Sequence, residues 1–433
     1  MIFKWKSTNG AAGRPRSTSV KFSLIKIGRR KTCPICDLSS RYFFLKVLDT
    51  NTEMKLYKCG CGSLFFPDAQ APDYSVVEGA DSFYTRLDQA ESIDSVLRPL
   101  LISEDLNDFP VIDIGCGLGF ASDFVRFSNR DSLALDPSAS SRLSSKLLGI
   151  PIQETLSNSD TAKIRAKRII YCSEVIEHVE KPVDFMQSLK NYAGDLGYLI
   201  ITTPNSKFVR KEVPSDAVLS ILAPSQHLFI FSKEALEKLA KDSGFVWVHA
   251  WTQNERLYLI AGPRKVDLNH ADIKSDYVEY LEARLKNPEV LPILRYRSYG
   301  YRLFKELVNN GQYARALSLW TLLVHFYKQL DIDLNDPDNV VLKYKKASCN
   351  RAFPEPEFYP YNLPMLMYLK GILDLAHLHD RVSAAPFLHA AINLSKLYEQ
   401  VTPEELFQGY DLEISLVKNW ALKTLKDHVI SNN

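Results

Sequence analysis

The sequence predicts an α/β protein in three ordered parts: a small cysteine-bound ribbon, an α/β domain on a largely parallel sheet, and an all-α C-terminal domain. Three observations predict it. Cys33, Cys36, Cys59 and Cys61 cluster in one short segment, strand-like apolar runs alternate with helix-periodic ones from about 76 to 263, and beyond "AGPRK" the strand signal fades. Alternation of that kind places strands side by side with helices crossing between them.

The 433 residues suggest two or three domains. Lys+Arg 53 nearly balances Asp+Glu 51, so no global charge points to nucleic acid or membrane, and 46% hydrophobic residues suit a soluble globular chain. No apolar run reaches about 18 residues, so no membrane span is expected.

Residues 1–30 hold no acid but carry Lys4, Lys6, Arg14, Arg16, Lys21, Lys26, Arg29 and Arg30. They read as a solvated, disordered basic tail. An organellar transit peptide is the alternative, which sets a mitochondrial matrix location against the cytoplasmic one otherwise expected.

Residues 31–75 contain "CPIC" and "KCGCG", turn-like pieces beside the aromatic runs "YFFL" and "LFF". Cys116, Cys172 and Cys349 lie scattered elsewhere, which argues against a secreted disulfide framework and for a reducing compartment. Four thiolates from two such turns surround zinc tetrahedrally, so Cys33, Cys36, Cys59 and Cys61 are expected to hold a structural zinc. The C-x-C bite is shorter than the usual C-x-x-C, and a redox pair is the alternative.

Residues 76–263 carry the runs "FPVIDIGCG", "SLALD", "RIIYCS", "GYLIITTPN", "FVWVHAW" and "RLYLIAG". Between them, Phe120, Phe124 and Phe127 recur at helical spacing. "FSKEALEKLAKDSGF" predicts a helix capped by Ser232 and stopped at Gly244, with Leu236, Leu239 and Ala240 inward. Residues 264–433 predict helical hairpins: one turns at Asn309-Asn310-Gly311, and "MLMYLKGILDLAHLHDRVSAAPFLHAAINLSKLY" forms a second. The "GQYARALSLW" piece is similar to part of a tetratricopeptide repeat, but an irregular bundle is the simpler reading.

The glycine loop carries the chemistry. In "VIDIGCGLGF" the pattern is G-x-G-x-G, where a dinucleotide fold wants G-x-G-x-x-G and a Walker loop wants Gly-Lys-Ser/Thr. Asp113, two residues before the first glycine, would repel a phosphate. A carboxylate there suits a ligand with an ammonium group and no phosphate, while the glycines let the backbone come close. S-adenosylmethionine is such a ligand, and Asp136, ending the next strand-like run, is placed to accept from its ribose hydroxyls.

With "VIDIGCGLGF", "ALDPS", "IIYCSEVIEHVEKP", "GYLIITTPN" and "QHLFIFSKEALEKLAKDSGF" in order, residues 76–263 resemble the class I S-adenosylmethionine-dependent methyltransferases. The likeness is closest to the branch of ubiquinone-biosynthesis O-methyltransferases and small-molecule and sugar methyltransferases. It implies a Rossmann-like sheet and methyl transfer, foremost to oxygen, on a small molecule or carrier-linked sugar. Carried over by position, it implies that Asp113, Gly115 and Gly117 line the methionine end of the cofactor. Cys116 belongs to the same loop as a small residue, not a catalytic thiol. Asp136 holds the ribose, Glu154 or Thr155 flanks adenine, and Cys172, Ser173 and Glu174 floor the site. Gly119 reads as a helix-packing residue. The family often starts its fourth strand with Asp, where this chain has "KRIIYC". A cysteine-bearing module ahead of this fold also resembles the front of certain sugar C-methyltransferases, whose α/β tail the helical C-terminal part does not match.

Methyl transfer is an in-line displacement that needs alignment and exclusion of water. A hydroxyl acceptor also needs a base within reach. His178 and His227 compete for that role, each with a purely structural hydrogen-bonding alternative. The E-x-x-E-H run implies, by the same resemblance, a divalent metal near Glu174, Glu177 and His178. Nucleobase chemistry is disfavoured, because the fourth strand is followed by neither Pro-Pro-aromatic nor Pro-Cys. The helical domain is expected to wall the acceptor pocket or to meet a protein partner or a second copy. The competing readings are a scaffold protein working through that domain, or a methyltransferase acting on proteins.

Overall fold

The computed structural model describes residues 20–23, 30–47, 52–67, 69–71, 80–88, 96–155, 167–213, 215–223, 226–268, 274–286, 290–350, 359–401 and 407–430. The N-terminal module is an antiparallel sheet of β1 (Val20–Ser23), β3 (Ser39–Val47), β4 (Thr52–Lys58) and β5 (Leu64–Phe65), with β2 (Lys31–Thr32) paired to β3. β1 pairs with the far end of β3, Val20 opposite Val47, so a strand lies inside the stretch expected to be a basic tail. The period-two sequence Val-Lys-Phe-Ser supplies the reason. The remainder of that tail, 1–19, lies outside the described residues.

The α/β domain follows in alternating order: α1 (Ala80–Asp88), β6 (Val111–Ile114), α2 (Phe120–Phe127), β7 (Ser132–Leu135), α3 (Ala139–Leu148), β8 (Ile152–Gln153), β9 (Ile169–Ser173), α4 (Pro182–Ala193) and β10 (Tyr198–Pro204). Next come α5 (Ser215–Leu222), β11 (Phe229–Ile230), α6 (Lys233–Asp242), β12 (Trp247–Gln253) and β13 (Arg256–Gly262). Seven of these strands form one sheet in the order β12-β13-β10-β9-β6-β7-β8. Only β13 runs against the rest. A parallel sheet covered on both faces needs apolar side chains on both, which is why the central strands β9 and β10, buried almost throughout, read as long apolar runs. On β9, Ile169 and Tyr171 face one core while Ile170 and Cys172 face the other.

The predicted caps are present. The Ser232 hydroxyl accepts from Ala235 N, and Leu236, Leu239 and Ala240 are buried. Phe120 and Phe124 are buried, with Phe127 packed against the same core.

From Lys274 onward every described element is a helix, α7 (Lys274–Leu285), α8 (Pro292–Arg295), α9 (Tyr301–Asn309), α10 (Tyr313–Tyr327), α11 (Pro337–Asn350), α12 (Leu363–Leu373), α13 (Arg381–Val401) and α14 (Phe407–Thr424) among them. A π-helical turn, Tyr296–Gly300, joins α8 to α9, and the α9–α10 turn falls at residues 310–312, one residue later than expected because Asn309 still belongs to α9. These helices share one continuous core with α1, α2 and a face of the large sheet, including Val111, Tyr171 and Tyr198. The opposite face packs against α4, α6 and the cysteine module.

Two polar clamps, the first of them buried, fasten the helical layer. Arg297 forks onto Asp88, Nε to Oδ1 at 3.0 Å and Nη2 to Oδ2 at 2.7 Å, with both side chains inaccessible to solvent. Asp88 also accepts from Tyr361 N, and Arg302 donates to Leu87 O while lying over the Phe120 ring. At the second clamp, Asp123 on α2 accepts from Arg284 Nε and Tyr280 Oη. Among the described residues, no helix is long and apolar enough to cross a membrane.

Candidate active site and metal centres

The glycine loop leaves the end of β6 and enters α2. Gly115 has φ +72°, and a Cβ there would stand 2.4 Å from the Val175 side chain, so both backbone conformation and space demand glycine. Gly119, at φ +80°, would strike Ile150, which agrees with a packing role. Gly115 N and Cys116 N donate to Leu135 O, tying the loop to β7. Cys116 itself carries a thiol pushed well up by burial and by the Asp113 and Asp136 charges, and such a neutral sulfur is no nucleophile.

Asp113 is buried at the head of this loop and accepts a hydrogen bond from Ser122 Oγ at 3.2 Å. Burial first, and the neighbouring Asp136 charge next, push its carboxyl up to about 7, although Ser122 opposes the shift. A carboxylate so short of compensation is a strong attractor for a cation. Asp136 takes Gly117 N on one oxygen and Ser138 N on the other, each at 2.8 Å, and so fixes the loop. Beside it opens a 330 Å³ cavity lined by Asp136, Ser141, Arg142, Lys146, Gln153 and Glu154 among others. Asp136 and Glu154, the residues singled out for ribose and adenine, thus border one cavity. Glu154 is held there by Arg142 at 3.2 Å.

At the end of β9 the three residues expected to floor the site diverge. Cys172 is sealed within the apolar core and offers only backbone. Ser173 Oγ shares a 2.6 Å hydrogen bond with Thr202 Oγ1. Glu174 adopts φ +55°, rare for a residue with a side chain and typical of functional turns. Its Oε1 accepts from Thr202 and faces Arg256 at 3.5 Å.

The E-x-x-E-H run therefore does not gather as its sequence implies. Glu174 turns to Thr202 and Arg256, while Glu177 and His178, in the turn Ile176–His178, meet His227 instead. Leu228 N donates to Glu177 O at 2.7 Å, and that backbone link sets His227 beside the pair. The two imidazoles meet edge to face, 4.8 Å between ring centres. Burial holds His178 below its ordinary value, and it drives His227 down to about 3 with help from the neighbouring His178 ring. Both are neutral at pH 7. His227 is enclosed, whereas His178 keeps an accessible edge and is the better placed of the two to receive a proton.

The four clustered cysteines converge. Cys33 Sγ lies 4.0 Å from Cys61 Sγ, and Cys36 Sγ 3.3 Å from Cys59 Sγ, spacings that suit four thiolates around one ion. Cys61 N points at Cys59 Sγ at 3.5 Å, and the hydrogen bond from Cys33 holds the Cys61 thiol down at about 5. The donor set fits zinc. The short C-x-C bite works because the chain turns tightly through Cys59–Gly62, with Gly62 at φ +88°.

The module is also joined to the α/β domain. β5 pairs with β11, Ser232 N donates to Ser63 Oγ, and Ser232 Oγ bonds Cys61 O at 2.5 Å. Sequence reasoning missed this junction, the His178–His227 approach and Ser122 under Asp113. Each depends on residues distant along the chain and carries no local periodicity.

A family model described as a methyltransferase domain matches residues 84–250. Among solved structures, the magnesium protoporphyrin IX methyltransferase of Synechocystis with bound SAH is 17% identical, over 42% of this chain and 87% of that one, at TM-score 0.29. A SAM-dependent methyltransferase from Archaeoglobus fulgidus is 13% identical over 40% and 94%, at TM-score 0.32. One from Aquifex aeolicus is 17% identical over 42% and 98%, at TM-score 0.29. No curated protein matches the sequence.

Proposed function

We propose, from the premise that this chain carries a class I S-adenosylmethionine-dependent methyltransferase domain, that it methylates an oxygen of a small molecule or carrier-linked sugar. One observation supports this reading above the rest: a buried, under-compensated Asp113 heads a glycine loop that a second acid, Asp136, fastens from below. Such a pocket welcomes a cationic amino-acid ligand and repels a pyrophosphate.

When bound, S-adenosylmethionine supplies an activated methyl on a sulfonium that leaves as a neutral thioether. In this reading Asp113 binds the ammonium end, Asp136 the ribose, and the cavity edged by Glu154 the adenine. The acceptor hydroxyl gives its proton to the neutral His178 as the C–O bond forms. The covering helical layer keeps the sheet face dry. The test is tritium transfer from methyl-labelled cofactor into a cell extract split into protein, nucleic-acid and small-molecule or lipid fractions. Label is expected in the last, base-stable as an ether; label confined to protein overturns the acceptor class.

We also propose that Cys33, Cys36, Cys59 and Cys61 hold one structural zinc. Chelation should lower the melting temperature and expose the N-terminal module to protease, while cofactor affinity measured by calorimetry stays unchanged. Loss of cofactor binding on chelation would contradict a purely structural metal.

A further inference from the structure

We propose that the cysteine module is a positioning part of the methyl-transfer site, acting through the strap 205–232 that it anchors; this rests on the reading of His178 as the proton acceptor. The strap runs from the end of β10 to the start of α6, and both of its ends are tied to one turn of the module. Ser206 Oγ donates to Gly62 O at 2.9 Å, Ser232 N donates to Ser63 Oγ at 3.0 Å, and Ser232 Oγ bonds Cys61 O. Between these ties, Phe66 N donates to Leu228 O at 3.0 Å, beside the β5–β11 pair. Leu56 and Leu64 of the module share a buried apolar cluster with Val209, Val218 and Leu222 of the strap. The fit is close: a Cβ on Gly62 would stand 3.0 Å from Ser232 Cβ.

The strap also holds the turn after β9. Leu228 N donates to Glu177 O at 2.7 Å, and His178 Nδ1 lies 2.9 Å from Gln226 O. A carbonyl can only accept, so Nδ1 carries the proton of the neutral ring and Nε2 keeps the lone pair. Glu177 Oε1 stands 3.8 Å from Nε2, beyond hydrogen-bond reach. A base that takes the acceptor's proton at Nε2 needs this tautomer, and the carbonyl that selects it belongs to the strap.

Two comparisons within the molecule isolate the effect. His227 Nδ1 lies 2.8 Å from Ile221 O, so its ring is held by a bond contained within the strap. The cofactor loop is held separately: Asp113 accepts from Ser122, and Asp136 from Gly117 N and Ser138 N. Loosening the module from the strap should therefore reach His178 while sparing both His227 and the cofactor pocket.

The test reads the rings directly and needs no acceptor. Full-length protein carrying isotopically labelled histidine gives ring-nitrogen spectra, assigned with His178→Gln and His227→Gln. In the wild-type chain both residues are expected as Nδ1–H tautomers. Ser63→Ala combined with Ser206→Ala removes two ties and leaves the Ser232 hydroxyl that caps α6. It should turn His178 into a mixture of tautomers and speed amide exchange at Leu228 roughly tenfold, while His227 stays Nδ1–H. Ser206→Thr, which keeps a hydroxyl, should retain the wild-type pattern, and calorimetry should find S-adenosylmethionine affinity unchanged in all of these. A wild-type His178 protonated at Nε2, an unaltered His178 in the double variant, or His178 and His227 changing together overturns the proposal. The wild-type tautomer decides even where a variant fails to fold. Absence of S-adenosylmethionine binding to the wild-type chain would instead strike the methyl-transfer reading, a separate result from the same samples.

Discussion

Asp113→Asn is expected to weaken S-adenosylmethionine binding on the order of a hundredfold, about 3 kcal/mol, the usual effect of neutralising one member of a buried charge pair. The substitution keeps the shape and the Ser122 contact, so the protein should remain folded. Calorimetry at pH 8 checks it, and affinity within a few-fold of wild type would sink the assignment of Asp113 to the ammonium. The same group predicts a pH dependence whose sign is fixed. Its carboxyl in the folded, ligand-free chain sits near 7, above the ordinary carboxylate range. A cation prefers the ionised form, so affinity should rise with pH through that value and fall about tenfold per unit below it. Stability runs the other way. A raised folded pKa contributes stability that is fully present below the unfolded value and is lost as pH rises through the folded one. The unliganded protein should therefore gain from this group on acidification from pH 8 to pH 5, and Asp113→Asn should remove both trends.

Arg297→Leu is the second large effect. It strands Asp88 as an unpaired charge in a dry core and should cost about 3–5 kcal/mol, read as a lower denaturation midpoint. The double variant Asp88→Asn with Arg297→Leu should recover much of that loss, because the stranded charge is gone. Equal destabilisation by single and double variants would show that packing, not charge, dominates there. Because the clamp joins α9's neighbourhood to α1, the single variant should also loosen the helical layer from the sheet, seen as faster amide exchange in α1.

What could be read from the sequence follows a physical line. β9 and β10 declared themselves because they are buried along nearly their whole length and so read as long apolar runs, and β6 and β7 because their apolar residues alternate with the helices that cover them. Ser232 and Gly244 marked the bounds of α6 because caps are local. Asp113 and Asp136 stood out because each is a lone acid closing an apolar strand-like run, a local feature; that Asp136 also pins the loop through Gly117 N and Ser138 N was not visible in the sequence. By contrast, Glu177 and His178 are adjacent in sequence, yet their third neighbour is set by a backbone bond from Leu228, fifty-one residues on from Glu177. Nothing local distinguishes His227 from a core histidine. The helical C-terminal part was read as a separate domain because its periodicity differs. Its apolar stripe, however, closes against the sheet, and a stripe does not name the surface it will cover.

The pairing of β5 with β11 has a consequence for how the chain is made. Residues 65 and 229 are 164 positions apart, so at roughly 5–20 residues per second the ribosome needs on the order of ten to thirty seconds to deliver the partner strand. Throughout that interval the nascent amino-terminal sheet carries an open margin. Should the four sulfurs, all synthesised early, bind the proposed zinc, that capture would hold the sheet in shape until β11 emerges.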